Sequence, residues 1–319
     1  MAAVSAARRG GLRHSLFWAH RLEFPFSLAY LCHAVWGASW AVTQPRQLLA
    51  APVLALVAAN VSHQVGEVVL NAGLDVDSDA RNPEKRVVAG AAQRLGRRTL
   101  LGLASAELAV PVLIAAGVSV ALSRPSIVAW MAVIVALQVL YNVEPVHLKR
   151  RGMANPITLA LTYPVLPALP VYLAVRPTVS PAMWLVLLGM LFAATARTLW
   201  WAIPDRVADL AANCSTPVVR LGFARSLLVA GLLSTVGTVL IGGALWWRYG
   251  AAWALLGMAA ASLFPLTALR RFSRALAAST DRGSADGHLQ AVRLRRRDLP
   301  LALATDLAVA VIPLAVLLM

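Results

Sequence analysis

Residues 48–79 read LLAAPVLALVAANVSHQVGEVVLNAGLDVDSD. Up to residue 72 the stretch is almost wholly apolar and has the roughly 20 residues a helix needs to cross a bilayer. Yet His63, Glu67, Asn71 and Asp75 recur along it at four-residue intervals, and Asp79 continues the series. Residues four apart are neighbours on a helix face, with a drift of about 40° per step. Ionisable groups inside a membrane are costly and face a cavity or a partner. The stretch therefore predicts a transmembrane helix with a polar stripe along one side.

The rest of the chain agrees. Of 319 residues 59% are hydrophobic and 13% charged, with a mean hydropathy of +0.70. A soluble globule carries about 25% charge. The apolar surplus needs lipid, which excludes secreted domains and ordinary soluble enzymes. Lys and Arg number 29 against 14 Asp and Glu, a net charge of +15. Such a charge can signal nucleic-acid binding, but this chain is too apolar for that, and no nucleic-acid partner is expected. Cys32 and Cys214 lie far apart and show neither a disulfide framework nor zinc-ligand spacing.

Nine stretches approach spanning length, near 25–43, 48–72, 100–122, 126–142, 157–175, 181–203, 223–245, 250–269 and 299–318. The short connections carry one Arg each: Arg46, Arg124, Arg176 and Arg248. The N-terminus and the long connections, edges included, hold the other basic residues, among them the Lys149-Arg150-Arg151 run and Arg197, Arg206, Arg220 and Arg225. The positive-inside rule then puts the N-terminus and long loops in the cytoplasm. The expectation is an integral protein of a bacterial-type plasma membrane, with its C-terminus outside. Residues 1–22 are basic and contain Leu16, Phe17 and Trp18, without a small-residue cleavage site. They predict a surface helix at the headgroups, followed by a single domain over 23–319.

The acids are concentrated. Asp75, Asp77, Asp79 and Glu84 fall at the first long loop, and Asp205 and Asp209 at the third. A lone cluster reads as solvated loop charge. Here both sets have four-residue spacing, so each aims its oxygens at one point, and two such sets can enclose hard cations. Mg²⁺ takes oxygen ligands, typically one or two carboxylates plus substrate phosphates. Asp77 sits about 200° round the helix from Asp75 and should point away.

Residues 75–90 continue DVDSDARNPEKRVVAG. Asn71, Asp75, Asp79, Asn82 and Arg86 resemble, in order, the first motif of the UbiA superfamily of intramembrane prenyltransferases. Ile203, Pro204, Asp205, Asp209, Thr216, Pro217, Leu221 and Gly222 resemble its second. Between them Tyr141-Asn142-Val143-Glu144-Pro145 and Leu148-Lys149-Arg150 resemble its Tyr-Ser-x-Pro-x-x-Leu-Lys-Arg segment. Two departures stand out. Trp201-Ala202 replace a Lys-Asp pair found in many members, which removes the third acid of the second motif, and Leu210 replaces a common Gly.

The resemblance implies an all-α membrane protein, nine transmembrane helices around a central cavity. It implies Mg²⁺-dependent transfer of an isoprenoid group from a prenyl diphosphate to an aromatic or similar nucleophilic acceptor, through an allylic carbocation. Asp75, Asp79, Asp205 and Asp209 would hold metal directly or through water, with Asn71 assisting. Lys149, Arg150 and Arg86 would grip diphosphate oxygens, and Tyr141 would belong to the same binding segment. For the basic run, topology and lipid headgroups remain the other reading. Glu67 is either a general base or anchor for the acceptor, or half of an internal pair with His63. His33, Glu107 and Asp306 read as structural contacts within the membrane. Trp200, Trp201, Trp246 and Trp247 read as an aromatic belt, with Trp200 and Trp201 as alternative tunnel walls. Two other functions stay open. A membrane terpene cyclase would share the ionisation, whereas a transporter or structural protein would not need the aspartates. In this family acceptors include carboxylate-bearing aromatics, quinone precursors, tetrapyrroles and sugar phosphates.

Overall fold

The structure, a computed structural model, describes residues 11–81, 85–203, 206–211, 215–277 and 298–319. Among these the chain is helical, with no strand. Helices α1 (Leu12–Ala19), α2 (Phe26–Ala41), α3 (Ala51–Leu74), α4 (Val76–Arg81), α5 (Arg86–Leu95), α6 (Arg97–Leu122) and α7 (Ser126–Asn142) form the first half. The second half contains α8 (Ala154–Ala160), α9 (Ala168–Val175), α10 (Pro181–Ala202), α11 (Arg206–Ala211), α12 (Pro217–Tyr249), α13 (Ala251–Ala277), α14 (Leu299–Ala302) and α15 (Ala304–Leu318).

Every one of the nine expected stretches contains helix. Six are long and apolar enough to cross a bilayer unaided: α3, α6, the continuous α8–α9 segment, α10, α12 and α13. Helices α2, α7 and α15 have 16, 17 and 15 residues. At 1.5 Å per residue they reach about 23–26 Å, short of the hydrocarbon core. The last stretch is broken, since α14 and α15 are separate helices. The first long loop is more ordered than its charge suggested. Helix α5 lies within it, burying Ala89, Ala91 and Ala92 and packing against α1. Arg94 Nε donates to Ser15 Oγ at 3.0 Å, and His20 Nε2 meets Glu107 Oε1 at 2.8 Å.

Small residues set the closest helix contacts. A Cβ added at Gly66 would stand 2.8 Å from the Glu107 Cβ, drawing α3 onto α6. One at Gly237 would stand 2.7 Å from the Ala193 backbone nitrogen, where α12 crosses α10. Close backbone approach of this kind is the usual way membrane helices gain packing energy. The α8–α9 segment contains a π-turn over Leu161–Val165 with Pro164 inside it. Backbone groups released in lipid must find other partners. Here Trp36 Nε1 donates to the Pro164 carbonyl at 2.7 Å and Asn60 Nδ2 to the Pro167 carbonyl at 2.7 Å. The irregular turn is thereby fixed against α2 and α3, where it faces the cavity described below.

The arginines of the short connections have structural work. Arg124 Nη1 donates to the Leu173 carbonyl at 2.5 Å and Arg176 Nε to the Ala41 carbonyl at 2.8 Å. Both cations sit at helix C-termini, where the dipole favours positive charge.

Candidate active site

Helix α3 ends at Leu74, and Asp75 is its C-cap, at φ −100° and ψ 11°. The four-residue register nonetheless crosses the junction. The Asp75 N–H donates to the Asn71 carbonyl at 2.9 Å, and the Asp79 N–H to the Asp75 carbonyl at 2.8 Å. Asp77 is exposed, whereas Asp79 is buried. The ammonium of Lys149 lies 2.7 Å from both carboxylate oxygens of Asp75 and 3.3 Å from Asn71 Oδ1. Lys85 Nζ binds Asp79 Oδ1 at 2.7 Å. Three hard oxygen donors from two adjacent turns thus converge on one positive charge. That donor chemistry fits Mg²⁺, with the lysine ammonium standing in for a cation. Among the described residues, no three His, Cys, Asp or Glu side chains gather as a metal cluster. Each first-motif carboxylate is instead neutralised by a lysine, and Asp205 lies outside the described residues.

Asp209, on α11, accepts from Thr216 Oγ1 at 2.9 Å. Burial pushes its carboxyl above the ordinary range, while the Thr216 bond and the charge of Lys85 pull it back. Lys85 therefore acts on both motifs, on Asp79 by contact and on Asp209 through space. Sequence reasoning left it out of the site, although its position beside Arg86 in the first motif was a usable signal. The loop after α7 is stitched to the same region. Tyr141 donates to Asn155 Oδ1 at 3.4 Å, and Asn155 Nδ2 donates to the Lys149 carbonyl at 2.7 Å. The Gly152 N–H donates to the Ser215 carbonyl at 2.8 Å. Lys149 thus turns inward. Arg150 turns out, its Nη1 3.6 Å from Glu144 Oε1 on the surface. Arg86 opens α5 and is exposed.

Inside these charges is a cavity of about 350 Å³. Asn71 and Glu67 line one wall, and Phe26, Tyr30, Tyr141, Tyr163 and Trp201 give it an aromatic surface. Two polar clusters meet it. In the first, Arg197 Nη1 donates to Asp306 Oδ2 at 2.5 Å and to the Ala302 carbonyl at 3.0 Å. His33 Nε2 stands 3.5 Å from Asp306 Oδ2, and His33 Nδ1 bonds Gln64 Oε1 at 3.2 Å. In the second, His63 Nε2 is 4.0 Å from Glu67 Oε2. Both Glu67 oxygens, both His63 ring nitrogens and both Gln138 amide atoms have no hydrogen-bond partner.

These contacts correct the reading of Arg197 and give partners to His33, Glu107 and Asp306. Arg197, grouped with loop cations, is inside α10, five residues before its end. Asp306 and His33, read as structural contacts within the membrane, are joined to it: Asp306 pairs with Arg197, and His33 Nε2 stands 3.5 Å from Asp306 Oδ2. Glu107 has a partner in His20. The position of Arg197 within an apolar run was the signal available for finding it. Of the two tryptophans, Trp201 lines the cavity, stacked on Phe264 at 5.7 Å. Trp200 is buried, stacked on Phe272 at 5.8 Å, and donates to Ser234 Oγ at 3.2 Å.

The model of the UbiA prenyltransferase family matches residues 30–283. A solved UbiA homologue from Archaeoglobus fulgidus, bound to GPP and Mg²⁺, superimposes with a TM-score of 0.69. It is 14% identical, and the alignment covers 96% of this chain and 100% of that one. The DMAPP and Mg²⁺ complex of a UbiA homologue from Archaeoglobus fulgidus gives 0.68 at 15% identity, covering 96% and 99%. A digeranylgeranylglyceryl phosphate synthase structure gives 0.63 at 11% identity, covering 95% and 99%. At such identities the likeness is one of fold. No curated protein matches the chain.

Proposed function

The chain belongs to the UbiA prenyltransferase family, an integral membrane protein of the prenyltransferase type, and from that premise we propose the reaction. It transfers an isoprenoid group from a prenyl diphosphate to an aromatic or similarly nucleophilic acceptor, within the membrane and with Mg²⁺. The observation that carries this reading is the convergence of Asn71 and Asp75 oxygens on a cation at an aromatic-lined cavity. Asn71, Asp75, Asp79 and Asp209 would hold the metal, with Asp205 contributed from outside the described residues. When bound, Mg²⁺ supplies neutralisation of charge on the departing diphosphate.

The chain's own groups do the rest. Lys149 and Lys85, released from Asp75 and Asp79, donate to diphosphate oxygens as negative charge develops there. Arg86 and Arg150 are exposed cations within the same loops and meet the diphosphate as it arrives. The aromatic walls hold the isoprenoid and its allylic cation without offering it a strong nucleophile. Glu67 faces the acceptor. The Lys and Arg asymmetry supports an entrance on the cytoplasmic side, and the proposed location is a bacterial-type plasma membrane. A single catalytic domain follows the basic segment of residues 1–22. The same aromatic lining favours one second reading, a terpene cyclase in which the chain's own double bonds quench the cation.

The test is incubation of the purified protein in detergent with Mg²⁺ and prenyl diphosphates of increasing length, with and without acceptors. Adducts that require acceptor and disappear on chelation are expected. Cyclic hydrocarbon formed without acceptor would favour the cyclase, and full activity in excess chelator would overturn both.

A further inference from the structure

The deep end of the cavity is built differently from its entrance. Glu67 is buried and lines the cavity, and both its oxygens lack a hydrogen-bond partner. Gln138 and Thr162 face it, but neither reaches it with hydrogen-bond geometry, and the Thr162 hydroxyl donates to the Thr158 carbonyl at 3.0 Å. His63 and Gln138 are fully buried, with every side-chain polar atom unpartnered, and Asn142 Oδ1 is unpartnered as well. Buried polar groups are nearly always satisfied, by protein, water or ligand. An orphaned group costs about 1–3 kcal/mol, so this many in one place mark a site with an occupant.

The occupant's chemistry follows from the inventory. Among Glu67, His63 and Gln138 the unpartnered acceptors are two carboxylate oxygens, one amide oxygen and one imidazole nitrogen. The unpartnered donors are the Gln138 amide and the second nitrogen of a neutral imidazole. The excess is of acceptors. Among the described residues two cationic side chains line the cavity, and both are committed: Arg197 to Asp306 and the Ala302 carbonyl, and Arg21 to Glu23 Oε1 at 2.7 Å. A carboxylate brought here would be buried against the oxygens of Glu67 with no free counter-ion, which is costly.

We infer that Glu67, His63 and Gln138 form a site for a neutral hydroxyl, either that of an organic acceptor or that of water, and that the site selects against carboxylate-bearing acceptors. This rests on the reading that the cavity receives the acceptor. In the reaction the C–O bond to diphosphate breaks and its electron pair leaves with the diphosphate. A pair from the bound hydroxyl oxygen, or from the ring that carries it, forms the new bond to the allylic carbon. The proton released passes to the Glu67 carboxylate.

The experiment is an equilibrium titration of the purified full-length protein, followed by tryptophan fluorescence, since Trp201 lines the cavity. Two probes are compared: hydroquinone, and its analogue in which an ionised carboxylate replaces one hydroxyl. At least about tenfold tighter binding of hydroquinone is expected, falling toward equality in Glu67→Gln. Equal or tighter binding of the carboxylate probe to the wild type overturns the inference, as does a preference unchanged in Glu67→Gln. Should that variant not fold, the wild-type ratio stands alone, and Gln138→Met should weaken hydroquinone binding by about fivefold. A parallel arm adds Mg²⁺ and prenyl diphosphate in H₂¹⁸O. Label in a prenyl alcohol identifies water as the occupant, and a hydroquinone adduct identifies an organic hydroxyl. Cleavage of diphosphate with neither product overturns the inference. Intact diphosphate overturns the proposed reaction instead, while the binding ratio still decides the hydroxyl site.

Discussion

The entrance and the interior of the cavity both hold carboxylates, but treat them in opposite ways. At the entrance Asp75 sits on Lys149 and Asp79 on Lys85, each at 2.7 Å. Two turns deeper Glu67 has only His63 within salt-bridge reach, at 4.0 Å, and no hydrogen bond. These paired carboxylates keep some contact with water, at 22% and 13% side-chain exposure, so their lysines can be exchanged for another cation at a cost that water partly offsets. An unpaired buried carboxylate cannot be exchanged for anything except a donor delivered by a ligand. Under the proposed function the contrast is a division of labour: the entrance would handle the diphosphate and its metal, and the interior the second substrate.

The largest effect should come from the entrance. Asp75→Asn keeps shape and removes one charge, and prenyl diphosphate turnover should fall by about 10³-fold with every acceptor. Single-turnover measurement of diphosphate release checks this. Loss confined to one acceptor would erase the distinction between the two regions.

In the interior, Glu67→Gln should lower product formation by about 10²-fold, the usual scale for a lost proton acceptor. Diphosphate affinity, read by displacement of a labelled analogue, should stay within about threefold of wild type. Equal loss of affinity in the Asp75 and Glu67 variants would merge the regions into one.

Lys149→Met sharpens the exchange idea at the entrance. Without the ammonium, a competitor for the Asn71 and Asp75 oxygens is gone, so Mn²⁺ binding in the absence of diphosphate should tighten about tenfold, while diphosphate binding weakens by a similar factor. Electron paramagnetic resonance of free Mn²⁺ measures the first. Unchanged metal affinity would mean that the lysine does not compete for the ligands.

The smallest effect lies outside both regions, at the clasp of the N-terminal helix. The Glu107 bond holds the His20 pKa above its ordinary 6.5, against burial, which lowers it. A group whose pKa is raised on folding contributes stability fully below its unfolded value and loses it as pH rises through the folded one. The Tm in detergent should therefore fall by about 2 °C as pH is raised from near neutrality, and His20→Gln should remove that slope. A slope of the opposite sign would mean that the clasp does not depend on a protonated His20.

Much of this was legible in the residues. The i+4 series from His63 to Asp79 revealed both the spanning helix and its polar face, because period and burial act on the same side chains. The count of apolar stretches followed from lipid as solvent. What escaped depended on tertiary partners. Lys85 looks like any loop lysine until folding sets it between the two motifs. Arg197 and Asp306 are 109 residues apart, and no spacing rule connects them. Helix α5 was hidden by the charge of its loop, since its apolar face is made of alanines that carry little hydropathy signal.

The division of labour is most directly tested by positional isotope exchange, which reports ionisation without any acceptor. Prenyl diphosphate labelled with ¹⁸O in the bridging position is incubated with Mg²⁺ and protein, and scrambling into the non-bridging positions is followed. Asp75→Asn should abolish scrambling, and Glu67→Gln should scramble at a rate within about threefold of wild type, since Glu67 takes the acceptor's proton only after the new bond has formed. Scrambling lost equally in both variants would contradict the account.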